Sequence, residues 1–200
     1  MARLSPLSAD AKPELAETFE QFKRILGFVP NSLLTMQRRP EIVSAFGVLT
    51  ASVMDPNGSV DPGFKRLLAQ FASRAAGCRY CEAHSLLAAG ISGVPDDKIE
   101  ALWAYRTSPL YSAAERVALD FALAAGSVPN AVDDELMAQL KRHWSEEQIV
   151  ELLAAVCLYG FLNRWNDSLA TTLEDAPRRL GERVLAPGGW SAGKHEVDDS

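Results

Sequence analysis

The chain predicts an all-α fold, a bundle of about nine or ten helices built from two related halves. Three observations carry that expectation. Apolar residues recur every three to four positions from residue 13 to about residue 174, the period of a helix with one buried face. Helix start and stop signals alternate at short intervals over the same stretch. No alternating run of β-branched residues long enough for a strand occurs anywhere.

Pro13-Glu14 opens the first helix, with Leu15, Phe19, Phe22 and Leu26 on one face and Gly27 as its stop. Val29-Pro30-Asn31 starts a short second helix, interrupted by Pro40. The third runs from Pro40 with a stripe of Ile42, Phe46, Leu49 and Val53, and ends in the turn Asp55-Pro56-Asn57-Gly58. Asp61-Pro62-Gly63 opens a fourth, strongly amphipathic helix bearing Phe64, Leu67, Leu68, Phe71, Ala72 and Ala75. Gly77 is a left-handed stop for it, and a fifth helix continues to about Ala89, stopped by Gly90. Pro95-Asp96-Asp97 begins the next, with acids in the first turn where the helix dipole favours them. Ser112-Ala113-Ala114-Glu115 and Ser145-Glu146-Glu147-Gln148 read as capping boxes, and between them Asp133 or Asp134 caps a helix reaching roughly His143. Residues 1–175 thus form one helical domain, with a first half of about 1–92 and a second of about 93–175. From Ala176 to Ser200, Pro177, Pro187-Gly188-Gly189 and the terminal Asp198-Asp199-Ser200 read as a loosely held tail, with Trp190 suited to docking on a partner surface.

Composition narrows the function classes. A net charge of −6, with no basic run beyond pairs such as Arg38-Arg39 and Arg178-Arg179, excludes a nucleic-acid surface. Met1-Ala2-Arg3-Leu4-Ser5-Pro6 lacks the apolar core of a signal peptide. The longest apolar run, Ile149 to Leu162, is broken by Glu151 and too short to span a bilayer. A cytoplasmic protein without membrane contact is expected. At this length the chain can bury roughly 70% of its unfolded surface, so stability requires no disulfide. In that compartment a close cysteine pair points to catalysis, redox sensing or metal binding.

Such a pair stands in Gly77-Cys78-Arg79-Tyr80-Cys81-Glu82-Ala83-His84. Residues at i and i+3 or i+4 of one helix share a face, so Cys78, Cys81 and His84 can meet at a helix start. Unpaired N–H groups and the dipole there favour a thiolate. Cys81 as the attacking thiol, His84 as its proton acceptor and Cys78 as the partner that condenses with a Cys81 sulfenic acid make a closed redox cycle. A dithiol or thioredoxin-like reductant resets it by thiol–disulfide exchange, with no bound cofactor. Three clustered ligands fall short of the four of a structural zinc site, and no metal is expected; a catalytic zinc with an open position is the lesser alternative. Cys157, on an apolar stripe with Ile149, Leu153, Val156 and Gly160, reads as core packing; His143 and His195 read as surface residues. Tyr80 is equally a packing aromatic or a wall of a substrate pocket. Arg66 reads as the partner of an acid on a neighbouring helix.

The two halves show as an internal echo. A shift of 85 residues lays Arg66-Leu67-Leu68-Ala69 on Glu151-Leu152-Leu153-Ala154, and Cys78-Arg79-Tyr80-Cys81 on Asn163-Arg164-Trp165-Asn166. Chance likeness between two Leu- and Ala-rich helices is the alternative. Asn163 to Asp167 read as side chains that hold the halves together.

The octet Gly77 to His84, between an amphipathic helix and an Ala-rich one, resembles the alkylhydroperoxidase D-like branch of the carboxymuconolactone decarboxylase family. Val29-Pro30-Asn31-Ser32 and Asn163-Arg164-Trp165-Asn166-Asp167 extend the resemblance over most of residues 1–175. It implies an all-helical homo-oligomer that reduces hydroperoxides, with Cys81 as the peroxidatic cysteine and Cys78 as the resolving one. Well-studied members place the His four residues after the second Cys, where this chain has Ser85. They also carry a Glu twelve residues before the first Cys, where this chain has Arg66. Glu151 and Asp167 are the candidates to replace that acid in a proton relay, Glu151 because the echo lays it on Arg66. Two rival readings remain: the acid–base lactone decarboxylation of the family, which needs no thiol pair, and a redox-regulated helical oligomer without turnover.

Overall fold

A computed structural model describes residues 2–196. Among them are ten α-helices and no strand: α1 (Ala16–Leu26), α2 (Asn31–Met36), α3 (Pro40–Val53), α4 (Pro62–Ala76), α5 (Arg79–Ile91), α6 (Asp96–Glu100), α7 (Ala113–Gly126), α8 (Asp134–Lys141), α9 (Glu146–Leu169) and α10 (Asp175–Val184). The expected caps are in place. Ser112 with Glu115 and Ser145 with Gln148 form reciprocal capping boxes, and Asp133 accepts from the Leu136 amide at the start of α8. Gly27 and Gly77 stop α1 and α4 with left-handed φ of 83° and 74°, a conformation that carries a steric cost for a residue with Cβ. No helix among the described residues is long and apolar enough to cross a membrane.

Helix α4 is the axis of the fold, packed against α5, α7 and α9. The sequence marks it as amphipathic, yet neighbours cover both of its sides, and Lys65, Gln70 and Ser73 are as buried as the leucines. Phe64, Leu67, Leu68, Phe71 and Ala72 belong to one core with α7, α8 and the first half of α9. Ala69 belongs to the other, which gathers Phe19, Leu33, Val43, Phe46, both cysteines of the octet and Leu158.

The phase of two helices differs from the expected one. In α3 the buried line is Val43 and Phe46, while Ile42 and Leu49 are exposed. In α9 the inward line is Ile149, Leu152, Val156 and Tyr159. Leu153 and Cys157 therefore face outward, so Cys157 is an exposed thiol and not core packing. Both helices are apolar on more than one side, and periodicity alone leaves their rotation open.

The stretch after residue 175 is also not a loose tail within the described residues. It forms α10 and then docks on its own chain, with Trp190 Nε1 donating to the Arg79 carbonyl at 3.1 Å and Leu173 N donating to the His195 carbonyl at 2.7 Å. Gly181 admits the indole, since a Cβ there would meet the Trp190 ring at 2.7 Å. His195, expected at the surface, is fully buried against the Thr171 carbonyl at 2.7 Å. Residues 197–200, which include Asp198-Asp199-Ser200, lie outside the described residues.

Candidate functional site

Gly77 turns the chain out of α4 and leaves Cys78 in extended conformation (φ −86°, ψ 95°) as the N-cap of α5. In place of a hydroxyl or carboxylate, the cap acceptor is the Cys78 sulfur, which receives the Cys81 amide at 3.4 Å. Cys81 is the third residue of α5 and its sulfur receives Asn166 Nδ2 at 3.4 Å. The echo thus brings its own equivalent positions, 81 and 166, into contact. Burial pushes the Cys81 thiol well above its ordinary range, and Cys78 adds to that; the Asn166 amide works the other way. Burial, with Cys78 adding to it, thus works against the thiolate expected from a helix mouth. A base must take the Cys81 proton.

His84, one turn further, is positioned for that. Its Nε2 meets Glu174 Oε2 at 2.6 Å, its ring stacks on Tyr80 with centroids 4.2 Å apart, and Phe28 meets it edge-on at 5.7 Å. The i+3 spacing places His84 on the cavity wall, while Ser85 turns back onto the Cys81 and Glu82 carbonyls at 2.7 and 3.0 Å. Glu174 Oε1 in turn accepts from the Asn31 amide at 2.5 Å and from the Tyr80 hydroxyl at 3.0 Å. Burial alone would push the Glu174 carboxyl up; the His84 charge and hydrogen bond and the Asn31 amide outweigh it and hold it below the usual carboxylate range. Burial and the Glu174 charge keep Tyr80 a phenol well above its ordinary pKa, so it stays a donor. A carboxylate on the outer nitrogen of an imidazole fixes its tautomer and leaves Nδ1 as the acceptor.

Neither proton-relay candidate from the sequence occupies this place. Glu151 is bound to the Lys65 ammonium, and to the Ser59 amide at 2.8 Å and the Ser59 hydroxyl at 2.5 Å. There it closes the loop between α3 and α4. Asp167 pairs with Lys194 at 2.8 Å, and its charge reaches Cys81 only as an unfavourable field. The acid on the imidazole is Glu174, which sequence reasoning missed. In the sequence, Glu174 stands where the helical period ends, beside the stretch that reads as a loose tail, and 90 residues separate it from His84. One backbone feature carries it there: Ala170 ends α9 in the left-handed region (φ 47°) and turns the chain back.

Cys81 and His84 open on one cavity of about 440 Å³, walled by Phe22, Leu26, Phe46, Met54, Leu158 and Leu162. Among the described residues the imidazole makes no direct hydrogen bond to either sulfur, so a proton between them crosses this cavity. The volume lies within the range of small-molecule sites. Cys78 does not line it and sits behind Cys81. No cluster of His, Cys, Asp and Glu suited to a metal ion occurs among the described residues.

Residues 40–124 match the Carboxymuconolactone decarboxylase family. The debrominase Bmp8, in its apo crystal structure, is 36% identical over 90% of this chain and 97% of its own, with a TM-score of 0.85. The chain belongs to the carboxymuconolactone decarboxylase family. A cysteine-to-alanine variant of Bmp8 crystallised with 2,3,4-tribromopyrrole is 35% identical over 90% of this chain and 96% of its own, again with a TM-score of 0.85. The uncharacterized protein YnjA of Escherichia coli (strain K12) is 32% identical over 111 residues, which span 55% of this chain and 60% of that protein. An alkylhydroperoxidase AhpD core protein from Ralstonia eutropha JMP134, 19% identical over 88% of this chain and 94% of its own, with a TM-score of 0.75, shares the fold.

Proposed function

We propose that the protein is a dithiol reductase that removes an electrophilic atom from an organic substrate, first of all the terminal oxygen of an organic hydroperoxide. The observation that carries this reading is a cysteine at the wall of an apolar cavity, with its partner cysteine behind it and a carboxylate-held imidazole on the same cavity. His84 Nδ1, with Glu174 on Nε2, takes the Cys81 proton through cavity water, and the thiolate attacks the distal peroxide oxygen. The O–O bond breaks, the alkoxide recovers the proton from the imidazolium, and Cys81 becomes a sulfenic acid. Cys78 displaces water from it to form the disulfide, so that one hydroperoxide and two thiols yield one alcohol, one water and one disulfide. A dithiol or thioredoxin-like reductant returns the pair to its reduced form. A homo-oligomer belongs to the same proposal.

A second reading is reductive dehalogenation of an aromatic substrate, favoured by the size of the cavity and by the debrominase relative. There the thiolate takes the halogen, the ring carbanion takes the proton, and Cys78 expels halide to leave the same disulfide. The lactone decarboxylation reading uses neither sulfur, and the arrangement of Cys81 against His84 and Asn166 gives it no support.

One equivalent of cumene hydroperoxide tests the first reading. The reduced protein is expected to lose two free thiols and to become lighter by two hydrogens, and Cys78→Ser or Cys81→Ser is expected to block that change. Thiols that stay reduced under peroxide yet oxidise with a brominated pyrrole, releasing bromide, would replace the first reading by the second. Sustained turnover with dithiothreitol separates an enzyme from a switch.

A further inference from the structure

We infer that the cavity beside Cys81 takes an organic anion, an apolar body carrying one carboxylate or similarly delocalised charge, and that Arg66 binds that charge. This rests on the dithiol reading and adds a substrate class to it.

Lys65 and Arg66 are adjacent cations on α4 with opposite fates. Lys65 is buried and answered, by the Glu151 carboxylate and by the Val53 carbonyl at 3.0 Å. Arg66 lines the cavity and meets no carboxylate among the described residues. Its Nη1 donates to the Tyr159 hydroxyl at 3.1 Å, and its Nε is buried without a partner. A neutral hydroxyl does not compensate a guanidinium charge, and a buried N–H left unpaired carries a desolvation penalty. The guanidinium fork matches two oxygens of one anion in a single plane.

The rest of the cavity is consistent with such a ligand. Its walls are largely apolar, and among the described residues two further buried polar atoms on them lack partners, Thr50 Oγ1 and Asn166 Oδ1. The Thr50 hydroxyl can donate to an anion beside Arg66. At roughly 30 Å³ per water, 440 Å³ greatly exceeds what hydrogen peroxide needs. An apolar body releases water from the walls, and its one charge answers the Arg66 guanidinium. Arg66 is thus the residue that selects the substrate, while the acid on the imidazole is Glu174.

The test has a binding arm and a reaction arm. In calorimetric titration of the reduced protein, 4-phenylbutyrate is expected to bind at least about tenfold more tightly than 4-phenylbutanol, the difference of one charge-assisted hydrogen bond. Arg66→Met is expected to bring that ratio close to one, and Arg66→Lys to retain part of it. Equal affinity for acid and alcohol, or an acid preference that survives Arg66→Met, would overturn the inference. In the reaction arm, linoleic acid hydroperoxide is expected to oxidise the cysteine pair at least about tenfold faster than its methyl ester. Equal rates for acid and ester overturn the anion site and leave the dithiol reading standing. Thiols inert to both peroxides, beside carboxylate binding that depends on Arg66, overturn the hydroperoxide reading and leave the anion site standing.

Discussion

Glu151 and Glu174 are both partly shielded carboxylates, each bound to a cation and to a backbone amide, and yet they belong to different parts of the protein's work. Glu151 faces a permanently charged ammonium and the loop from Asp55 to Val60, and this setting lowers its carboxyl to about 2 although burial opposes it. Glu174 faces an imidazole, a partner whose second ring nitrogen can take up a proton. The first pair is a clamp with fixed charges. The second is a proton-handling device, and its other partners, Asn31 and Tyr80, hold the carboxylate still while the imidazole changes state. A carboxylate's role is thus set by whether its cation can discharge, and less by how deeply it is buried.

Breaking the clamp gives the largest expected effect. Glu151→Ala strands a Lys65 side chain that is 1% exposed, and is expected to cost about 3 kcal/mol or more in denaturant unfolding. Thiol oxidation per folded molecule is expected to stay within about twofold, since Glu151 does not line the cavity. A tenfold loss of oxidation rate would return Glu151 to the chemistry.

A third acid sharpens the comparison. Glu82 is fully buried beside the half-exposed Arg79, with one oxygen bound at 3.1 Å and the other without a partner. Burial pushes its carboxyl from 4.5 to about 7, against the pull of Arg79 and Arg74. Between those two values the folded state holds a proton that the unfolded state has released, so stability is expected to fall as pH rises through that window. The loss is up to about 3 kcal/mol. Urea unfolding at pH 5 and pH 8 measures it, and Glu82→Gln is expected to flatten the difference.

Glu174→Gln is expected to slow peroxide-driven thiol oxidation about 100-fold near neutral pH, with a stability cost of only about 1 kcal/mol. The rate deficit is expected to shrink in alkali, where Cys81 ionises without help. A deficit that persists at every pH would make Glu174 a structural anchor like Glu151. The smallest effect belongs to Asn166→Ala. It removes the one side-chain amide donated to the Cys81 sulfur and is expected to slow iodoacetamide alkylation of Cys81 at neutral pH about tenfold.

Much of the fold was legible without coordinates, for reasons that vary from element to element. The capping boxes at Ser112 and Ser145 and the left-handed stops at Gly27 and Gly77 satisfy amides and carbonyls a few residues away, so the sequence holds their whole cause. The placing of Cys78, Cys81 and His84 at the start of α5 is equally local. The C-terminal stretch misled because Pro187-Gly188-Gly189 reads as loop, while its docking depends on Trp190 reaching Gly181 and the first turn of α5. Cys157 misled because α9 offers apolar residues on two sides.

What the sequence by itself determined is the set of helices and the spacing that brings Cys78, Cys81 and His84 to one helix end, since hydrogen bonds within a turn or two decide both. Tertiary packing alone decided which carboxylate meets His84, that Arg66 faces a cavity instead of an acid, and that burial raises the Cys81 thiol. Those outcomes join α4, α5, α9 and the chain after Ala170 across as many as 90 residues. Contacts at that range are set by which faces the cores bury, and no local pattern encodes them.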